Sequence, residues 1–387
     1  MNLDTVPPLI EFRNRLLSEL AQLMEHPSMI RHEKGLAMLE KLTTDYVLVA
    51  LSALGWEFKC GQTFSTARMA STLGVIKRHR RLLERLLMML SDDGLLRRSD
   101  SLWEVLSEPA APDMNDLTDP VFKSNPEALL LNRCGSTLSE VLQGKLDPLQ
   151  VLFPSGDSTL VATVYRDSPM MRAMNILAQK MLLRVLSCMP PTGYCRILEI
   201  GAGTGSTTSY LLPHLSPDRA EYTFTDVSPA FILEAREKFK DYHFVEYRAL
   251  NIEGEPQRQG FDVYQYDFVV ASNVFHATAD LSKTVRNARQ LVAPGGLLVL
   301  LELTASTRWL DLVFGLTQGW WRFTDTHLRP TYPLLSAAPW IEMLNKEGFE
   351  QAFSISPDDI VTRGLAQVRR KVLPQSLIVA KAAAGSA

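Results

Sequence analysis

The chain predicts an α/β fold, a mostly parallel sheet with helices on both faces, joined to a mainly helical N-terminal subdomain. Three observations carry this. From residue 194 onward β-rich runs alternate with helical patterns, residues 11 to about 145 space their apolar side chains at helical period, and a glycine-rich turn directly follows the first of the later strand-like runs. At 387 residues the chain exceeds what one hydrophobic core usually fills. The predicted division is a helical lid subdomain over 1–164 with a winged-helix-like portion, and a sheet-bearing core over 165–387.

In chain order, "FRNRLLSELAQLM", "GLAMLEKLTTDYVLVALSALG" and "RRLLERLLMMLSDDG" read as amphipathic helices. "GLLRRSD" and "SLWEVLS" read as a short hairpin after them, the source of the winged-helix expectation. Proline- and aspartate-rich "SEPAAPDMNDLTDP" (107–120) and "FPSGDS" (153–158) read as loops. A helix follows with Ser168 at its N-cap and Pro169 in its first turn, and its stripe Met171, Met174, Met181, Val185 and Leu186 suits core packing better than a cofactor box. "PPTG" (190–193) ends it. Five β-rich runs then alternate with helices: "YCRILEI", "EYTFTDV", "HFVEYRAL", "YDFVVAS" and "GLLVLLEL". "GFEQAFSIS" and "QSLIVAKA" close the chain as a predicted hairpin on the sheet edge.

Composition narrows the function classes. A formal net charge of −3 supplies no long-range attraction for nucleic acid or an anionic membrane. Cys60, Cys134, Cys188 and Cys195 lie far apart without a C-x-x-C pair, which argues against a zinc site or a disulfide framework and for a reducing compartment. No leader-like segment or long apolar span is apparent, so a cytoplasmic protein is expected. The basic run "KRHRRLLER" around Lys77 and Arg81 reads first as a solvated helix face. As a functional patch it would suit an acidic partner or a phosphate; it lacks the interleaved aromatics of a DNA-binding surface.

The glycine loop opens the chemistry. "ILEIGAGTGSTT" sets Gly201, Gly203 and Gly205 between a strand and a helix, where a backbone without side chains lets a nucleotide-like ligand approach. Ser206 breaks the dinucleotide-binding spacing, so hydride cofactors lose ground. Glu199, expected to face the same crevice, would repel a pyrophosphate but suits a cationic ligand such as S-adenosylmethionine. Asp226, ending the next strand, is placed to accept ribose hydroxyls; Asn251 after the third strand is placed near adenine, and Ser272 at the end of the fourth joins the donor-binding group.

A single loop histidine is ordinarily structural. His276, in "SNVFHAT" just past the fourth strand, gains meaning from Glu302, which lies at the end of the fifth. Those strands are expected to be neighbours with ligand-facing carboxyl ends. A carboxylate on one ring nitrogen fixes the tautomer and steadies the imidazolium formed when the other nitrogen takes a proton, so a general base in an accessible position is expected.

Together "LEIGAGTGSTT", "SNVFHAT", "ARQLVAPGGLLVLLELT", "LDLVFGLTQGWWRFTD", "PLLS" and Trp340 resemble the C-methyltransferase domain of modular and fungal polyketide synthases, over roughly residues 165–350. Among these, the resemblance points first to bacterial modular synthases of the curacin type. The resemblance implies a class I, Rossmann-like methyltransferase sheet of seven strands with the last antiparallel. It implies S-adenosylmethionine as donor, no metal, and a β-ketoacyl chain on an acyl carrier protein, among neighbouring synthase domains, as acceptor. It also makes His276 and Glu302 the catalytic dyad. Asn251 departs from the pattern, standing where many methyltransferases carry aspartate. Tyr165 and Asn273 are nominated to receive the enolate oxygen, and Trp320, Trp321 and Phe323 to wall an acyl tunnel, with plain packing an equal reading. An O-methyltransferase and a catalytically silent synthase domain are the alternatives.

Overall fold

The computed structural model describes residues 8–112, 124–190, 192–362 and 372–383. The 107–120 loop from residue 113 on, Pro191 of "PPTG", and the last four residues of the tail lie outside the described residues. Two compact units emerge, one of residues 1–30, 165–305 and 322–387, the other of 31–164 and 306–321. This differs from the expected single cut at 164/165 in two places, and both have a polar cause.

The helix Leu9–Met24 belongs to the sheet-bearing unit. Its Arg13 binds Asp359 at 2.7 Å and the Ser354 carbonyl at 3.1 Å, and Glu19 takes Arg184 at 2.7 Å. Leu16, Leu17 and Leu20 are buried beneath these bonds. The segment 306–321 belongs instead to the helical unit. There the buried carboxylate of Asp311 accepts Arg85 Nε at 2.8 Å, and Arg308 reaches Asp93 at 2.7 Å.

The sheet-bearing unit holds seven strands: β1 (Cys195–Ile200), β2 (Ala220–Asp226), β3 (Val245–Ala249), β4 (Tyr266–Ser272), β5 (Val292–Leu303), β6 (Phe349–Ile355) and β7 (Gln375–Ala382). Their order is β3-β2-β1-β4-β5-β7-β6. β7 runs antiparallel to both β5 and β6, and the other neighbours pair in parallel. The α/β fold read from the sequence is the fold observed. β5 starts four residues before "GLLVLLEL", at Val292, because a register shift between Tyr266 and Phe268 absorbs Pro294 and Gly295.

The reversal of strand order at β1 opens a crevice above the carboxyl ends of β1 and β4. The central strands are apolar on both faces, as a covered parallel sheet requires. Helix Leu281–Leu291 closes one face: Asp280 caps it through Lys283 N at 3.0 Å, and Leu281, Val285, Ala288 and Leu291 form the buried stripe. Helix Pro169–Cys188 buries Met171, Met174 and Met181.

In the helical unit, the helices Pro27–Ala53 and Arg80–Asp92 match their sequence patterns. Leu96–Ser99 and Leu102–Val105 form the expected hairpin, and Thr63–Ser65 joins it as an outer strand. Lys77, Arg78, Arg80 and Arg81 are exposed at the start of the Arg80–Asp92 helix.

Candidate functional site

Three turns meet at the carboxyl ends of β1, β2 and β4. The first is the glycine loop, whose Gly201, Gly203 and Gly205 all take positive φ. Gly201 lies against Val274, and a Cβ there would fall 2.6 Å from the valine methyl, so the loop is seated directly on the turn that carries His276. At Gly203 a Cβ would meet no atom closer than 4.0 Å, which leaves open space over the loop. Replacing Gly201 with alanine is therefore expected to cost about 2–4 kcal/mol through left-handed strain and overpacking, read as a lower midpoint in urea unfolding.

Asp226 staples this loop to the second turn. One oxygen accepts Gly203 N at 2.9 Å and the other Ser228 N at 2.8 Å. Burial raises its pKa against the lowering effect of those backbone bonds. Each carboxylate oxygen has a second lone pair, so the group holds the loop and can still accept hydroxyls. Asn251 is exposed, its side-chain oxygen accepting Glu253 N at 3.1 Å.

Glu199 departs from expectation. It is 1% exposed rather than open to the crevice, and its Oε2 accepts from the Thr208 and Tyr222 hydroxyls. Tyr222 precedes by two the register partner of Glu199, Phe224, which makes it the diagonal neighbour on the same sheet face. The hydroxyl partners were invisible in a motif reading centred on glycines. Burial raises the Glu199 pKa to about 7, although both hydroxyl bonds and the charge of Lys238 pull it down. A folded-state pKa above the ordinary carboxylate value means the stabilising proton is held at low pH and lost as pH rises through about 7. Relative to wild type, Glu199→Gln is expected to gain stability between pH 5 and 8, by up to roughly 3 kcal/mol, in urea melts across that range.

The third turn carries His276. Ser272 ends β4 half-buried in register with Leu301, and the chain turns at Asn273, whose φ of 55° is the left-handed conformation asparagine tolerates. Asn273 N donates to Leu301 O at 2.7 Å. Its amide nitrogen meets only the Met171 sulfur, at 3.7 Å, and its side-chain oxygen is buried without a hydrogen bond. A buried amide oxygen without a donor costs about 1–3 kcal/mol.

The structure brings His276 and Glu302 together. Nδ1 of the ring lies 2.6 Å from Glu302 Oε2, while Oε1 accepts Val274 N at 3.2 Å and Phe275 N at 2.8 Å. The dyad is more enclosed than expected, with Glu302 0% and His276 5% exposed. Because the carboxylate is an acceptor for all these groups, Nδ1 carries hydrogen, the tautomer that gives a neutral ring its lone pair at Nε2. Phe275 points inward to the Trp340 ring, 6.4 Å between centroids, which anchors the turn in the core.

Tyr165 is within electrostatic reach of Glu302: burial first, and the Glu302 charge second, push its hydroxyl above the ordinary tyrosine range, so it stays a neutral donor. Its carbonyl accepts Asn175 Nδ2 at 3.4 Å, and Asn175 Oδ1 accepts Thr207 of the glycine-loop helix at 2.8 Å. The aromatic residues are packing groups in this conformation. Trp321 Nε1 donates to Gly315 O at 2.7 Å, Trp320 stacks on Phe314, and Phe323 lies under the Arg329 guanidinium, 5.3 Å from its centroid. Among the described residues no cluster of three or more histidine, cysteine, aspartate or glutamate side chains could hold a metal ion.

Known proteins resemble this chain. The family described as "Methyltransferase domain" matches residues 198–298, which span β1 to β5. The non-reducing polyketide synthase mapC of Penicillium roqueforti (strain FM164) is 37% identical over 321 residues, covering 80% of this chain but only 13% of that synthase. The crystal structure of the CurJ carbon methyltransferase is 39% identical with a TM-score of 0.89, over 97% of this chain and 99% of that one. The CMeT domain of the citrinin polyketide synthase is 27% identical with a TM-score of 0.84, over 98% of each. The chain belongs to the carbon-methyltransferase domains of polyketide synthases.

Proposed function

We propose that this domain transfers a methyl group from S-adenosylmethionine to the α-carbon of a β-ketoacyl thioester carried on an acyl carrier protein, with His276 as general base and Glu302 as its orienting partner. The observation that carries the reading is the buried 2.6 Å bond between His276 Nδ1 and Glu302 on the turn that Gly201 packs against.

The donor site fits its ligand. Open space over Gly203 leaves room for the backbone to approach a nucleoside, and Asp226 retains lone pairs for ribose hydroxyls. Gly201, Gly203 and Gly205 would cradle the donor, with Asp226 on the ribose, Asn251 near adenine and Ser272 at the floor. Glu199 acts from beneath, through Thr208. When bound, the donor supplies an electrophilic sulfonium methyl. Gly203→Ala is expected to lose about 1–2 kcal/mol of stability to left-handed strain at a φ of 53°, and to bind S-adenosylhomocysteine at least tenfold more weakly by calorimetry, since its Cβ enters the ligand's space.

His276 Nε2 takes the proton from the carbon between ketone and thioester, and Glu302 steadies the imidazolium. The Tyr165 hydroxyl and the Asn273 amide receive the enolate oxygen. The enolate carbon then bonds the methyl as the sulfur–carbon bond breaks, and the imidazolium returns its proton to solvent. Holding both reactants replaces a bimolecular encounter and supplies much of the rate. Exposed Lys77, Arg78 and Arg80 give the helical unit a basic face suited to an acidic carrier or its phosphopantetheine phosphate. The neighbouring domains of the parent synthase are the remaining partners.

The test is incubation of the purified chain with methyl-labelled donor and acetoacetyl carrier protein. Label on the α-carbon, stable to base hydrolysis, is the expected product. Label on oxygen would make this an O-methyltransferase. Failure to bind the donor at all would make it a silent domain.

A further inference from the structure

The turn that carries His276 has a backbone ladder of one short 3-10 turn, Phe275–Ala277, in which Ala277 N and Thr278 N donate to the Val274 and Phe275 carbonyls. The N–H groups of Val274, Phe275, Ala279 and Leu281 go to carboxylates. Glu302 takes Val274 and Phe275, Glu253 takes Ala279 at 2.6 Å, and Asp325 takes Leu281 at 2.9 Å. Three of the turn's carbonyls, those of His276, Thr278 and Ala279, accept from one side chain. Arg329 donates through Nη1 to His276 O at 2.8 Å, and through Nη2 to Thr278 O at 2.9 Å and Ala279 O at 3.2 Å. The same guanidinium bonds Asp325 through Nε at 2.7 Å, and Thr324 N adds a bond to Ala279 O at 2.8 Å.

We propose that Arg329 and Asp325 are positioning residues for His276, a buried ionic clamp that grips backbone carbonyls of the turn while Glu302 takes N–H groups, and so fixes where the imidazole stands. The consequence for turnover rests on the reading of His276 as the base.

Three points favour this over plain scaffolding. Arg329 and Asp325 are 1% and 4% exposed, and a buried ion pair is seldom the most stable way to fill such a space; apolar residues of similar volume often serve as well or better. Next, the clamp's bonds converge on the turn around the histidine. Asp325 and Pro333 O apart, the hydrogen bonds of the guanidinium go to the carbonyls of His276, Thr278 and Ala279. Finally, the planar fork of arginine reaches those carbonyls and Asp325 at once, which a lysine ammonium cannot do. Glu302 and Arg329 divide the labour: the carboxylate holds the ring and the donors before it, and the guanidinium holds the acceptors from His276 onward. Loss of either lets the ring drift relative to the glycine loop.

The test uses the full chain with Arg329→Lys and, because that variant is at risk of misfolding, Asp325→Asn as a second route. Both are assayed well below their measured melting temperatures. Expected for each is a fall in kcat of roughly 10²-fold, with donor Kd and acceptor KM changed by no more than about threefold, since misplacement of the base acts on the chemical step. The downfield proton resonance of the His276 Nδ1–H, read in histidine-labelled protein without substrate, is expected to shift or broaden. Wild-type kcat in folded Arg329→Lys would overturn the clamp. So would a lowered kcat with that resonance unmoved. The resonance needs no turnover, so if His276→Ala kept full activity the base reading would fall while the positioning result stood.

Discussion

Replacing His276 with alanine is expected to slow methyl transfer by ~10² to 10⁴-fold while leaving donor affinity intact, the loss typical of a missing general base. Of the residues that would hold the donor, Gly203 and Asp226 are bonded to each other at 2.9 Å, a bond that does not involve the ring. Removing the ring leaves Glu302 Oε2 without its 2.6 Å partner, while Oε1 keeps Val274 and Phe275. A stability loss of about 1–3 kcal/mol should accompany the change, from a buried acceptor left short of one donor. Calorimetric donor binding and single-turnover transfer separate these effects. Unchanged turnover would take the histidine out of the mechanism.

The second large effect is Glu302→Gln, which keeps shape and removes charge. If the amide oxygen stays toward Val274 and Phe275, its NH2 faces Nδ1 of His276. Two donors cannot bond, so hydrogen must move to Nε2, the nitrogen that should take the substrate proton. The other amide orientation turns NH2 toward two backbone N–H groups. Either arrangement damages the base, and a fall in kcat of roughly 10 to 10²-fold, smaller than for the alanine variant, is expected. Nitrogen chemical shifts of the ring report the tautomer directly. Full turnover with an unmoved tautomer would reduce Glu302 to scaffold.

Much of the fold was legible because its causes are local. Each strand of the main sheet lies within or beside a β-rich run, and the glycine loop was identifiable because positive φ at Gly201, Gly203 and Gly205 needs residues without Cβ. The closeness of His276 and Glu302 was also readable, since His276 sits just past the end of β4 and Glu302 within the last residues of the adjacent β5. Glu199 was misjudged in its setting. A carboxyl beside a glycine loop suggests exposure, but whether it faces solvent or two hydroxyls depends on Thr208 and Tyr222. The lid boundary failed similarly, because amphipathicity shows that Leu9–Met24 buries a face without saying against what.

By itself, then, the sequence determined the periodic elements, their parallel arrangement, the loop able to approach a nucleoside and the residue types able to move a proton. Tertiary structure alone decided which polar groups meet: Arg13 with Asp359, Arg85 with Asp311, and Arg329 with the carbonyls around His276. The reason is physical. Periodicity is set by steric and hydrophobic rules acting over a few residues. The partner of a buried charge is chosen by desolvation, which depends on every segment that closes over it.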